Sequence, residues 1–503
     1  MSKADEVFIG AIDQGTSSSR FLIFNVKGQI VASHQAEYEN HYAKAGWVEK
    51  DPNQILQSVE TVIVGACRRF NALGYETSQI KGVGITNQRE TTIAFDIETG
   101  EPLTNAIIWN DVRTKELVHK LIAEAGSATR YATISGLPIT TYFSAVKMRW
   151  MLENIPAVQA AREKGTLRFG TVDAWLIYKM TGSFVTDVTN ASRTMLMDIK
   201  TFKWSKECLD FFGVQESELP EIRSSSEIYG TINTGRLEGL PIAGCLGDQQ
   251  AAMVGQSCFE TGEAKNTYGT GCFMLFNTGE TPIFSKNGLL TTVGYKLGAN
   301  ATPKYALEGS VAVAGSAIQW LRDKVGLIVS APEIGFLADT VKDNGGVYFV
   351  TAFSGLFAPY WRDDARGCIV GLTQYATRGH IARATLESVC YQSHAILDAM
   401  RKDSGHELRR LRVDGGMTNS EQAMQIQADI LGIEVVRPEM RETTALGAAL
   451  AAGLGVGVWK DESELRQVAQ SNVTAFWSGI TSEKRTEMIE GWEKAVKRSL
   501  DWA

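Results

Sequence analysis

The sequence has no G-x-x-x-x-G-K-[ST], no G-x-G-x-x-G, no G-x-S-x-G and no H-E-x-x-H. These absences set aside P-loop enzymes, Rossmann dehydrogenases, common serine hydrolases and zincins. The seven cysteines, Cys67, Cys208, Cys245, Cys258, Cys272, Cys368 and Cys390, are odd in number, scattered and without C-x-x-C spacing. They indicate neither a disulfide framework nor a zinc site and read as small core residues of a reducing compartment. No block of Lys and Arg is present, and the net charge is -7. A nucleic acid or a membrane surface would need a basic face, so a small-molecule partner is expected. The longest uncharged stretches, 344–361 and 443–459, are diluted by Gly, Pro, Ser and Thr. They read as core rather than as membrane spans. The polar start, residues 1–6, runs directly into an apolar segment, and no signal or transit peptide is expected. A soluble, cytoplasmic chain follows.

What is present is ample apolar surface. With 503 residues and 44% hydrophobic residues, the chain exceeds what one core organises, and two large domains are expected. The pattern restarts near Cys258, which divides the chain into 1–257 and 258–503.

Residues 8–24 are two apolar runs around the turn Asp13-Gln14-Gly15-Thr16-Ser17-Ser18. The runs read as hairpin strands, and the turn offers hydroxyls and main-chain N–H groups suited to phosphate oxygens. Asp13 would repel a bare phosphate. It becomes useful when Mg²⁺ or its waters stand between the two, and on this stretch alone a Ser-rich hairpin turn is the other reading.

Further along, Lys27-Gly28 turns the chain into a third strand, 30–38, and Asp51-Pro52 reads as an N-cap with Pro in the first helical turn. A strand over 80–86 ends in Asn87-Gln88-Arg89-Glu90, either a solvated surface pair or a polar site. A run ending in Ile107-Ile108-Trp109 passes into a charged helix over 112–125, and Tyr142-Phe143-Ser144 precedes another helix. Strands alternate with helices, so the class is α/β.

Residues 242–247 read as a buried strand, a Gly turn follows, and a helix opens on Asp248-Gln249. Asp248 is either a helix N-cap or a carboxylate at the end of a parallel strand, where open α/β sheets bind ligands. In the second half, 265–276 is again strand, Gly/Thr turn and strand around Thr270, echoing the first hairpin in design. Two such hairpins could clamp one polyphosphate. The strand and turn of Val413-Asp414-Gly415-Gly416, followed by Asn419 and Ser420 at a helix start, lets backbone lie against a ring or phosphate, or simply caps a helix.

Taken in order, Ile12-Asp13-Gln14-Gly15-Thr16, Asn87-Gln88-Arg89-Glu90, Gly247-Asp248-Gln249-Gln250, Tyr268-Gly269-Thr270-Gly271-Cys272-Phe273, Val413-Asp414-Gly415-Gly416 and Thr444-Ala445-Leu446-Gly447-Ala448 make the chain resemble the FGGY sugar-kinase family along nearly its whole length. The resemblance implies two actin-like, ribonuclease-H-like domains, each with a mixed five-stranded sheet flanked by helices, and a ligand cleft between them. It implies ATP-dependent phosphorylation of glycerol to sn-glycerol 3-phosphate, with Mg²⁺ as the metal and a homodimer or homotetramer as the assembly.

By the same resemblance, Arg89, Glu90, Tyr142, Asp248 and Gln249 hold glycerol, with Trp109 and Phe273 as an apolar wall along its carbons. Arg only donates and a carboxylate only accepts, so the pair orients hydroxyls in one sense. Asp248 matches the general base. Thr16, Ser17, Ser18, Arg20 and Thr270 match phosphate contacts, and Gly315, Gln319 and Gly416 the nucleotide cleft. Asp13 and Asp248 are the carboxylates implied for Mg²⁺. Ser420 stands where related kinases often carry Asn, with Asn419 beside it, so either can face the adenine. A sugar kinase acting on xylulose or gluconate, and a nucleotide-gated ATPase switch on the same fold, are the alternatives to a glycerol acceptor.

Overall fold

The computed structural model describes residues 5–469 and 472–503. The first four residues of the polar start read above lie outside the described residues. In the first half, strands β1 (Phe8–Gln14), β2 (Ser18–Asn25), β3 (Ile30–Glu37), β4 (Ile80–Asn87), β5 (Gly230–Thr231) and β6 (Pro241–Gly247) form one sheet in the order β5-β6-β4-β1-β2-β3. In the second half, β7 (Ala264–Tyr268), β8 (Cys272–Gly279), β9 (Leu290–Tyr295), β10 (Lys304–Val311), β11 (Arg410–Asp414), β12 (Glu434–Pro438) and β13 (Val473–Phe476) form another, β9-β10-β8-β7-β11-β12-β13.

A shared plan underlies both sheets. Strands β3-β2-β1-β4-β6 pair antiparallel, antiparallel, parallel, parallel. Strands β10-β8-β7-β11-β12 repeat that sequence of pairings. The expectation of five strands per sheet therefore describes this common core, while the sheets themselves have six and seven strands. The additions are antiparallel edge strands, β5 on β6, β9 on β10 and β13 on β12. Each satisfies backbone groups that an open edge would leave unpaired.

Helices cover the sheets, and the sequence shows why they start where they do. In α1 (Pro52–Ala72), the Asp51 side chain accepts from Asn53 N and Pro52 occupies the first turn. Its buried Ile55, Val59, Val62, Ile63 and Cys67 pack on the first sheet. The charged helix expected over 112–125 begins only at Lys115. Asp111 receives Val48 N at 2.5 Å and Arg113 N at 2.8 Å, and these bonds hold the preceding residues in a turn. Three further helices carry the site: α2 (Val188–Ala191), α3 (Asp248–Gly255) and α4 (Gly315–Trp320). They are followed by α5 (Glu421–Leu431) and α6 (Thr443–Gly455).

Helix α6 belongs to the second half of the sequence but packs on α3 and on β1, β4 and β6 of the first sheet. Its Ala and Gly surface brings backbones together. A Cβ on Gly84 of β4 would lie 2.1 Å from the Ala448 carbonyl oxygen. All seven cysteines are free, as expected, and six of them are buried. Among the described residues no helix is long and apolar enough to cross a membrane.

Candidate active site

The first hairpin is tight. Gly15 N donates to Ser18 O at 2.9 Å, and Tyr38 N donates to Ser17 O at 2.9 Å, so Thr16, Ser17 and Ser18 sit at the tip that joins β1 to β2. Asp13 pairs across the hairpin with Arg20, whose Nη2 approaches its Oδ2 to 2.9 Å. That oxygen is buried and receives no hydrogen bond among the described residues. Burial pushes the Asp13 carboxyl up, against the opposing pull of Arg20. Arg20 also reaches Glu442, just before α6, so the hairpin touches the second half.

Arg89 and Glu90 follow β4, and the solvated-pair reading fails for both because their side chains are 2% exposed. Glu90 adopts φ 61°, an uncommon backbone for a non-glycine residue. What supports this turn is the segment around α2. Asp187 caps α2 through Thr189 N and Asn190 N. Asn190 and Asn87 exchange amide hydrogen bonds at 2.9 and 3.1 Å, and Gly247 N donates to Thr189 Oγ1 at 2.9 Å. Strand ends β4 and β6 are thereby held by one short helix.

Asp248 opens α3, but the cap position is Gly247 and no side-chain cap bond forms. Its carboxylate accepts from Gln249 N at 2.8 Å and faces Arg89 Nε at 3.3 Å, with about a third of the side chain exposed. Burial pushes the Asp248 carboxyl up, opposed by Arg89 and Lys265. Lys265 on β7 donates to Gln249 Oε1 at 2.5 Å and to Thr267 Oγ1 at 3.0 Å. Its own burial lowers the ammonium to about 8.

Three aromatic rings close one side. Trp109 meets Tyr142 at 5.6 Å and Phe273 at 6.1 Å between centroids, both edge-on. Trp109 Nε1 donates to Thr16 Oγ1 at 2.9 Å. Phe273 stands on β8, three residues beyond Thr270, so one indole joins the first hairpin to the second.

The second hairpin is anchored to α4. Gly315 N donates to Gly269 O at 3.0 Å, and Ala314 N and Ser316 N donate to Thr270 O. A Cβ on Gly315 would lie 2.6 Å from Gly269 O, so only glycine permits this contact. Gly415 presses against Tyr268 O in the same way, while a Cβ on Gly416 would meet nothing within 4 Å. Gly416 thus borders open space. Asn419 is exposed and its Oδ1 accepts from Arg441 at 2.7 Å, whereas Ser420 is committed to capping α5 through Ala423 N. Gln319 is exposed on α4, one turn beyond Gly315.

The sequence reading passed over Arg193, Gln250, Lys265 and Glu308. Arg89 forks onto Glu308 at 2.6 and 2.9 Å, and its Nη1 also reaches Gln250 Oε1 at 3.2 Å. Arg193 donates to Glu90 Oε1 at 2.6 Å and to Glu308 Oε1 at 3.1 Å. Arg89 and Arg193 hold the Glu308 carboxyl down at about 2 although burial opposes ionisation. A signal existed at Glu308, which interrupts the otherwise uncharged run 305–311, a position that burial tolerates only when the charge is paired.

Residues 8–255 match the model of the FGGY family of carbohydrate kinases, N-terminal domain, and residues 264–456 match its C-terminal domain. The glycerol kinase of Brucella anthropi is 54% identical over 501 residues, covering 98% of this chain and 99% of that one. The glycerol kinase of Pseudarthrobacter chlorophenolicus is likewise 54% identical, covering 98% of both. Among solved structures, Plasmodium falciparum glycerol kinase with ADP superposes with a TM-score of 0.91 at 40% identity, covering 98% of each chain. Gluconate kinase from Lactobacillus acidophilus, at 22% identity, covers 98% of this chain and 97% of its own with a TM-score of 0.84, and shares the fold.

Proposed function

The chain belongs to the FGGY family of carbohydrate kinases, and we propose that it transfers the γ-phosphoryl group of ATP to a terminal hydroxyl of glycerol, forming sn-glycerol 3-phosphate and ADP. The observation that carries this reading is the meeting of Arg89 Nε with Asp248 Oδ1 at 3.3 Å beside the wall of Trp109, Tyr142 and Phe273. Paired donors and acceptors beside an aromatic wall suit a short triol, whose hydroxyls they orient while its carbons lie on the rings. The 54% identity to glycerol kinases over nearly the whole chain supports the same acceptor.

Asp248 takes the proton of the attacking hydroxyl as its oxygen bonds to the γ-phosphorus and the bond to the β,γ-bridging oxygen breaks. Arg89 and Glu90 orient the remaining hydroxyls with Tyr142 and Gln249. Thr16, Ser17, Ser18 and Arg20 hold phosphates from one side and Thr270 from the other. Gly315, Gln319 and Gly416 border the nucleotide, and Asn419, rather than the helix-capping Ser420, reaches the base.

Asp13 suits Mg²⁺ as a buried carboxylate at the end of β1 whose Oδ2 has, among the described residues, only the Arg20 cation beside it, at 2.9 Å. The ion would share or replace that partner, with Asp248 as the second carboxylate. When bound, the ion neutralises charge on the phosphates. We keep 1–257 and 258–503 as the two domains, and a homodimer or homotetramer in the cytoplasm as the assembly. The free cysteines support a reducing compartment.

Assaying glycerol, xylulose and gluconate side by side with ATP tests the proposal. A higher kcat/KM for either sugar overturns it.

A further inference from the structure

The two cationic side chains beside Asp248 and Glu90 share one acceptor that the family-derived site residues do not include. Glu308 lies on β10 of the second sheet, fully buried, and binds Arg89 of the first half through both carboxylate oxygens. An arginine has five N–H groups in a fixed fork. Here Nη1 spends its hydrogens on Glu308 and Gln250, and Nη2 spends one on Glu308. What remains is the edge formed by Nε and the second Nη2 hydrogen. That edge faces Asp248, because Nε stands 3.3 Å from Oδ1.

Glu308 also restrains the opposite partner. Its Oε1 accepts from Arg193, whose Nε holds Glu90 Oε1 at 2.6 Å. With Oε1 taken by Arg193, Oε2 is the Glu90 oxygen left for an acceptor hydroxyl. A single carboxylate therefore sets the rotation of the donor, Arg89, and through Arg193 that of the acceptor, Glu90. The pairing across halves also means that the acceptor end of the site is complete only when the second sheet is docked against the first.

We propose that Glu308 is a positioning residue for acceptor recognition: it turns the Nε edge of Arg89 and the free oxygen of Glu90 toward the acceptor hydroxyls without touching the acceptor. The proposal rests on the glycerol reading above. A buried, charge-assisted fork is rigid, and truncating one side of it leaves the other charge free to re-orient.

The test pairs Glu308→Gln with acceptors that lack one hydroxyl, 1,2-propanediol and 1,3-propanediol. In the wild type, removing a hydroxyl should lower kcat/KM by at least about 10-fold, since a site built to bind a hydroxyl rejects its absence. In Glu308→Gln that penalty should shrink to roughly 3-fold or less for at least one diol, with glycerol KM raised and ATP KM within about 2-fold of wild type. Glu308→Asp retains the charge and should restore part of the discrimination, and it serves if the Gln variant does not fold. A penalty unchanged in both variants, or glycerol and ATP parameters falling together, overturns the proposal. Wild-type protein that does not phosphorylate glycerol overturns the underlying reading instead.

Discussion

A Cβ at Gly447 would stand 1.9 Å from the carbonyl oxygen of Ala251. The two residues belong to helices α6 and α3, one from each half of the sequence, and their backbones touch at this point. The same crossing repeats at Gly255, where a Cβ would lie 1.9 Å from Thr443 O. Asp248 sits at the start of α3, so the seating of α6 bears on the carboxylate proposed as the base.

Gly447→Ala should destabilise the protein, because no side chain can move aside from a backbone carbonyl. Overpacking of this kind costs about 1–3 kcal/mol, and the melting temperature should drop by roughly 1 °C for each kcal/mol when a chain this large unfolds as one unit. Thermal unfolding measures it, and an unchanged midpoint would refute the contact. For the same reason residues 1–257 alone should aggregate, since they lack the helix that covers β1, β4 and β6.

Asp248→Asn should cut kcat by about 10²- to 10⁴-fold, the range expected for loss of a positioned base. Nucleotide affinity, measured by titration calorimetry with ADP in the absence of Mg²⁺, should stay close to wild type because the carboxylate is then engaged with neither the metal nor the acceptor. Retained turnover would remove Asp248 from the base role.

Trp109→Phe keeps an aromatic ring in the wall but removes the donor to Thr16 Oγ1. A hydrogen bond of this kind contributes about 0.5–1.5 kcal/mol. ATP KM should rise by roughly 2- to 10-fold, with glycerol KM altered less. The reverse pattern in steady-state kinetics would separate the indole from the hairpin proposed to hold phosphates.

Lys147 lies buried behind the aromatic wall, with its ammonium on the Tyr142 carbonyl oxygen. Burial lowers it from 10.5 to about 7. Below about pH 7 both folded and unfolded chains carry the proton, and the cost of a buried charge is fully present. From there to the unfolded value the native protein releases a proton that the unfolded chain keeps, so stability gains from this residue as pH rises. Lys147→Met should therefore be stabilised relative to wild type by more at about pH 6.5 than at about pH 9.5. Denaturant midpoints at the two pH values check it, and a constant difference would contradict it.

The sequence by itself determined the local pieces. Gly15 and the hydroxyls after it specify a hairpin, Asp51-Pro52 a helix start, and Ser420 a cap, because each is settled among residues a few positions apart. The restart of the pattern near Cys258 likewise announced a second half of related design, while the five-strand core was implied by the family resemblance. Only the tertiary structure decided how the charges pair. Arg89 and Glu308 are 219 residues apart, and nothing near either one names the other. They meet because the turn after β4 and the middle of β10 come together in the folded chain, where low dielectric and the loss of water compel buried charges to find partners. The edge strands, the crossing of α6 onto the first sheet, and the support of Arg89 by α2 are of the same kind, set by which surfaces must be covered once the chain has closed on itself.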